Sequence, residues 1–230
     1  MGKDPERENR EVSQGAEQGA EPGTVAYCYS AGERTAMERY QRWRGVWLRP
    51  LLEWATRQRI TPDHVSVVSL FLGLMFCVVY LWSPAVAFLL LALHLIMDAL
   101  DGPLARHQQI ASRAGSFTDT LCDQIVVTAS TTVLMPDPAG IWPGVVYVFL
   151  YTLVVVFAMV RNALAIPYSW LFRPRLLVYA AAAIEVLFLR ETTMAGALNY
   201  VLWGVNALLA VNLLSGFRKL RRELKGRSSK

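Results

Sequence analysis

Apolar residues fall in six long runs, at 64–82, 84–105, 116–135, 140–162, 175–190 and 193–216. Each approaches the roughly 20 residues that an α-helix needs to cross a hydrocarbon core. The breaks between runs are short and carry turn residues, as in Trp82-Ser83-Pro84, Pro136-Asp137-Pro138 and Glu191-Thr192-Thr193. The fifth run holds four consecutive alanines, Ala180 to Ala183, which predicts close packing against neighbouring helices. Upstream the pattern changes. Tyr40, Trp43, Trp47, Leu51 and Trp54 recur every three to four residues and so share one helical face, while Arg39, Arg42, Arg44, Arg49 and Arg57 take much of the rest. Aromatic rings beside arginines suit the lipid headgroup layer, so residues 33–59 are predicted to form an interfacial amphipathic helix, kinked or split at Pro50. Residues 1–32 are polar and rich in Gly and Glu, which predicts a disordered tail. They lack the apolar core of a secretory signal, and Glu6 stands where a myristoylation motif needs Ser or Thr. The expected architecture is an all-α integral membrane protein. Six transmembrane helices over 60–217 follow the interfacial helix, and a basic cytoplasmic tail spans 218–230.

Composition sharpens this picture. The 230 residues are 54% hydrophobic and only 18% charged, against roughly 45–50% and 25% in soluble domains, which excludes a soluble globular domain. Three cysteines, two of them inside apolar runs, exclude a disulfide scaffold. The net charge of +5 could suit nucleic acid, but its distribution points to a membrane instead. Of the 23 Lys and Arg, 19 fall at 34–59, at 106–113, at 161–175 or after the last run; Lys3, Arg7 and Arg10 lie in the tail, and Arg190 alone falls on the opposite side. By the positive-inside rule those regions are cytoplasmic, so both termini are expected inside, in a multi-pass protein of the cell membrane.

Chemistry concentrates at the junction of runs two and three. Asp98, Asp101, Gly102 and Ala105 are spaced to share one helix face, and Gly115, Asp119 and Asp123 form a second stripe. A loop between them lets the two helices run antiparallel, so four carboxylates can converge near the cytoplasmic surface. Carboxylates crowded in a partly desolvated space repel one another. Protonation is one escape and divalent metal is the other. Two ions would match four negative charges, and an all-oxygen donor set suits Mg²⁺ or Mn²⁺ rather than zinc. A pair of such ions points to phosphoryl or phosphatidyl transfer. Gly102, Ala105 and Gly115 either leave room for a ligand between the helices or mark tight helix packing.

Residues 98–123 read Asp-x2-Asp-Gly-x2-Ala-Arg-x8-Gly-x3-Asp-x3-Asp. This stretch resembles the signature of the CDP-alcohol phosphatidyltransferase family at every fixed position. The resemblance implies an enzyme that moves the phospho-alcohol group of a CDP-alcohol, CDP-diacylglycerol foremost, onto an acceptor hydroxyl and releases CMP. It implies that Asp98, Asp101, Asp119 and Asp123 hold two Mg²⁺ or Mn²⁺ ions, with Asp123 also the general base. It implies that Gly102 and Arg106 contact the nucleotide diphosphate, that Ala105 and Gly115 make room for it, and that Ser112 adds a polar contact. Thr61-Pro62-Asp63-His64-Val65-Ser66 resembles the family's Thr-Pro-Asn-x-Val-Thr segment, so Asp63 and Ser66 are expected near the nucleotide. Asp63 replaces an Asn there and loses its amide donor.

The acceptor is less legible. Arg161, Arg173 and Arg175 cluster at the cytoplasmic mouth of runs four and five. Phe172-Arg173-Pro174-Arg175-Leu176 resembles a segment of family members that take phosphorylated acceptors such as inositol phosphate or glycerol phosphate. Arginine forks suit phosphate, and a purely topological role is the alternative. Partners are then the CDP-alcohol, the acceptor alcohol and membrane lipids, with no nucleic acid, and a homodimer is compatible. Two rival functions are an aminoalcohol phosphotransferase acting on diacylglycerol and, outside the class, a divalent-cation transporter using the four aspartates. His94 and Cys122 read as core residues, and His64 and His107 as lone interfacial side chains.

Overall fold

A computed structural model describes residues 31–135, 141–164, 166, 174–189 and 196–228, and among these it contains helices and no strand. The helices are α1 (Ala31–Arg57), α2 (Pro62–Val79), α3 (Pro84–His107), α4 (Arg113–Leu134), α5 (Ile141–Ala163), α6 (Arg175–Ile184) and α7 (Ala197–Ser228). A π-helical turn, Glu185–Leu189, prolongs α6. Each of the six apolar runs thus becomes a helix. Four of these, α2, α3, α5 and the Ala197–Lys225 stretch of α7, are long and apolar enough to cross a membrane. The α4 helix is diluted by Asp119, Asp123, Gln124 and a run of Ser and Thr. The α6 helix with its π-turn ends at Leu189, short of the usual spanning length.

Local sequence explains the starts and stops. At the head of α2, the Thr61 hydroxyl accepts from the His64 backbone N–H, and the Thr61 N–H donates to the His64 ring at 3.3 Å. His64 therefore closes a capping box rather than standing alone. The Ser112 hydroxyl caps α4 by accepting from the Gly115 N–H at 3.0 Å. The α1 and α3 helices end alike. Arg59 and Gln109 adopt positive φ (55° and 58°), and the following residues, Ile60 and Ile110, donate back to the carbonyls of Ala55 and Ala105. These two-bond terminations reverse the chain. The second of them turns α3 back into α4. The Gln108 amide then donates to the Ile60 carbonyl at 2.8 Å and ties the ends of α1 and α3 together.

The helices bury a continuous core that includes Phe76, Phe88, Leu91, Val126, Tyr147, Val154, Tyr179, Ala182, Leu202 and Leu209. Gly73 marks a close approach within it. A Cβ there would lie 2.6 Å from the Val126 side chain, so α2 and α4 meet where no larger residue fits. His94 is buried on α3 and satisfied, its Nδ1 donating to the Ser69 carbonyl at 2.9 Å. Elsewhere the surface is apolar, with Phe71, Trp82, Phe149, Phe188 and Trp203 all exposed, as in helices solvated by lipid.

Two expected boundaries shift, and a third expectation falls largely outside the described residues. The α1 helix begins at Ala31 and runs unbroken through Pro50, so proline does not split it. The basic stretch from Arg218 is a continuation of α7 as far as Ser228, not a separate tail. The expected N-terminal tail, apart from Ala31 and Gly32 in α1, lies outside the described residues.

Candidate active site

The turn between α3 and α4 sets two acidic stripes face to face. Asp98, Asp101 and Asp119 each offer a carboxylate oxygen, and these atoms lie within 4.8 Å of one another. Asp101 is buried and doubly held: the Ser66 hydroxyl donates to its Oδ2 at 3.1 Å and the Gly102 N–H to its Oδ1. Ser66 reaches it because the Thr61 cap starts α2 beside the carboxylate cluster. Asp63, one residue into α2, is exposed.

The small residues of the motif differ from Gly73. A Cβ on Gly102 would meet only the Arg106 guanidinium, at 3.5 Å, and one on Gly115 only the Ser112 hydroxyl, at 3.3 Å. Neither glycine packs against another helix. Tight helix packing is thus not their role, and the faces they present are open. Ala105 and Arg106 are half-buried on the same turn of α3, and Ser112 is exposed with its oxygen engaged at the α4 cap.

Asp123 is buried one turn beyond Asp119, outside the group of three but beside its member Asp98. Its partner is Arg175, the first residue of α6. That guanidinium pairs through Nη1 with Asp123 and through Nη2 with Asp98, the latter at 2.5 Å. The cluster therefore has an internal cation, a third escape from carboxylate repulsion beside protonation and metal. Spacing alone could not reveal it, because Arg175 comes from a distant helix. Arg161, near the end of α5, is fully buried. Arg173 lies outside the described residues.

Hydroxyl groups line the bundle next to Arg175. Tyr147 and Tyr151 stand one turn apart on α5 with ring centroids 5.6 Å apart, and Tyr179 on α6 pairs with Ser130 at 3.0 Å. All three tyrosines are buried. In the sequence they read as aromatic core. Nothing in their spacing singles them out, because the arginine beside Tyr147 and Tyr151 comes from another helix.

The three clustered donors are all carboxylate oxygens, the chemistry of a hard divalent ion, and among the described residues no His or Cys joins them. The residues present fit such an ion. A family model described as CDP-alcohol phosphatidyltransferase matches residues 59–211, two-thirds of the chain and the whole of this site. The chain belongs to the CDP-alcohol phosphatidyltransferase family. It is therefore a membrane-associated transferase of phospholipid synthesis, with an aspartate cluster suited to divalent metal. A bifunctional IPC transferase and DIPP synthase of Aquifex aeolicus is 30% identical over 91 residues, 40% of this chain and 21% of that protein. The protein of the same description from Thermococcus kodakarensis is 35% identical over 69 residues, 30% of this chain and 16% of that protein. The chain thus spans about a fifth of the length of these relatives. Its fold is similar to that of Mycobacterium tuberculosis phosphatidylinositol phosphate synthase (PgsA1), solved with CDP-DAG bound. The TM-score is 0.63 at 17% identity, covering 74% of this chain and 91% of the other.

Proposed function

We propose that this phosphatidyltransferase moves the phosphatidyl group of CDP-diacylglycerol onto a phosphorylated alcohol, inositol phosphate or glycerol phosphate, at the cytoplasmic face of the membrane. The observation that carries the reading is the meeting of Asp98, Asp101 and Asp119 beside the open faces of Gly102 and Gly115. The likeness in fold to a phosphatidylinositol phosphate synthase with CDP-DAG bound supports the choice of donor and acceptor. So does the supply of arginine at one end of α5 and α6, Arg161 buried and Arg175 half-buried.

In this reading Gly102, Ala105 and Gly115 leave space for the pyrophosphate, and Arg106 and Ser112 contact it. Ser66 holds Asp101 in place, and Asp63 faces the nucleotide. Asp98, Asp101, Asp119 and Asp123 would hold two Mg²⁺ or Mn²⁺ ions, which when bound neutralise the pyrophosphate charge and acidify the attacking hydroxyl. Asp123, one turn beyond Asp119 along α4, takes the proton from the acceptor hydroxyl. The acceptor oxygen bonds to the phosphatidyl phosphorus, the bond from that phosphorus to the CMP oxygen breaks, and CMP leaves with the electron pair. Arg161, Arg173 and Arg175 bind the acceptor's own phosphate. The α4 and α6 helices complete a six-span domain, and α1 lies in the headgroup layer.

The test is CMP release from CDP-diacylglycerol by purified protein in nanodiscs. The acceptor panel is inositol phosphate, glycerol phosphate, inositol, serine and diacylglycerol. A phosphorylated alcohol should be preferred. Arg161→Gln should raise the acceptor KM about tenfold or more, since a charge-assisted hydrogen bond is worth about 1.5–3 kcal/mol, and leave the donor KM nearly unchanged. Preference for an unphosphorylated alcohol, or equal effects on both KM values, would refute the acceptor assignment.

A further inference from the structure

We propose that Arg175 is an exchangeable counter-ion: its guanidinium and a divalent cation compete for the carboxylates of Asp98 and Asp123. An acceptor phosphate, by drawing Arg175 to itself, releases both carboxylates to the cation. The second half of this inference rests on the phosphorylated-acceptor reading above.

The geometry is specific. One guanidinium spans two carboxylates on two different helices, Asp98 of α3 and Asp123 of α4, using a different nitrogen for each. The three side chains are only 17%, 12% and 8% exposed, so the pairs are largely shielded from water. Asp98 is at the same time one of the three carboxylates whose oxygens converge within 4.8 Å. The same side chain therefore serves the fork of Arg175 and the candidate metal cluster. An arginine bridging Asp98 to Asp123 holds these two carboxylates in place, but it occupies oxygens that a metal ion would need.

Breaking a buried ion pair on one side only is costly, because a charge is left uncompensated. Exchange of both sides at once avoids that cost. The carboxylates take the cation and the guanidinium takes a phosphate, to which its planar fork is matched. Arg175 is placed to make the exchange. It is the first residue of α6, preceded by Pro174 outside the helix, so its side chain can swing on a long stem without disturbing the hydrogen bonds of α6. Metal and acceptor phosphate are then positively coupled, and by linkage each tightens the other by the same factor.

The experiment measures Mn²⁺ affinity by electron paramagnetic resonance, on the full chain in nanodiscs without CDP-donor. It is run with and without glycerol phosphate or inositol phosphate. In the parent protein the phosphorylated alcohol should tighten Mn²⁺ binding roughly 5- to 150-fold, the usual span of coupling between sites. Arg175→Gln should bind Mn²⁺ more tightly than the parent without any phosphate, and the phosphorylated alcohol should then add nothing. Arg175→Lys keeps the charge but loses the fork, so it should fall between the two and provides the test if the Gln variant does not fold. If neither variant binds Mn²⁺ more tightly than the parent, the competition does not exist and the proposal is overturned. If both bind more tightly while neither phosphorylated alcohol changes the parent's affinity, the exchange with metal stands. The phosphorylated-acceptor reading then falls.

Discussion

At the scale of single residues, the four aspartates divide three to one. Asp98, Asp101 and Asp119 form one group, and Asp123 joins it only through Asp98, with which it shares Arg175. That division predicts different phenotypes. Asp123→Asn should lose most turnover yet keep CDP-donor binding, because three carboxylates still converge. Asp101→Asn should weaken donor binding itself, since Asp101 is the carboxylate held by Ser66 and the Gly102 N–H. Calorimetric titration of CDP-diacylglycerol with Mg²⁺ present separates the two, and equal loss of binding would contradict the general-base role. The glycines make a second contrast. Gly73→Ala forces a Cβ to within 2.6 Å of Val126 and should lower thermal stability, overpacking typically costing about 1–3 kcal/mol. Gly102→Ala meets no neighbouring helix and should fold at least as well as the parent, while raising the donor KM. A destabilised Gly102→Ala would make Gly102 a packing residue after all. The convergence of the carboxylates was legible in the sequence because four-residue spacing fixes a helix face. The partner of Asp123 was not, because an ion pair between residues 52 positions apart in the chain leaves no periodic trace.

At the scale of elements, each apolar run was legible as a helix, and the breaks before α2, α3 and α4 carry their own turn or capping chemistry. Ends were less legible. The prediction that Pro50 kinks or splits α1 weighed the lost N–H. The Leu52 and Ala55 face of α1, however, packs on Leu104 and holds the helix across that point. The aromatic stripe of α1 turns the other way, with Trp43, Trp47 and Trp54 more than half exposed, which supports a bed of lipid headgroups. The π-turn after α6 was invisible in the alanine-rich pattern. Its Glu185 carboxylate accepts from the backbone N–H groups of Gly196 and Leu198, satisfying donors at the start of α7 that no other helix turn can reach. The reading of α4 and α6 as spans has its own test. Reporters fused after Lys230 and inserted at Asp137 should report opposite sides of the membrane, the first cytoplasmic. The same side for both would remove one span from the count.

At the scale of the whole molecule, the fold brings charge to one end of a greasy bundle. The cluster of Asp98, Asp101 and Asp119, the Arg175 fork, the Ser66 donor and the open glycine faces all gather where α3 turns into α4. Its outer surface is left to lipid. Family membership, readable from eight motif positions, gives the reaction type, while the acceptor is written in a few arginines whose partners come from distant helices. The central claim is phosphatidyl transfer at the aspartate cluster. Its most direct test is CMP release from CDP-diacylglycerol by the purified protein, measured with Mg²⁺, with EDTA, and in Asp98→Asn. The account predicts release with Mg²⁺, loss of it in EDTA, and none from an Asp98→Asn protein that still inserts into the membrane. Release undiminished in EDTA or in the variant would contradict it.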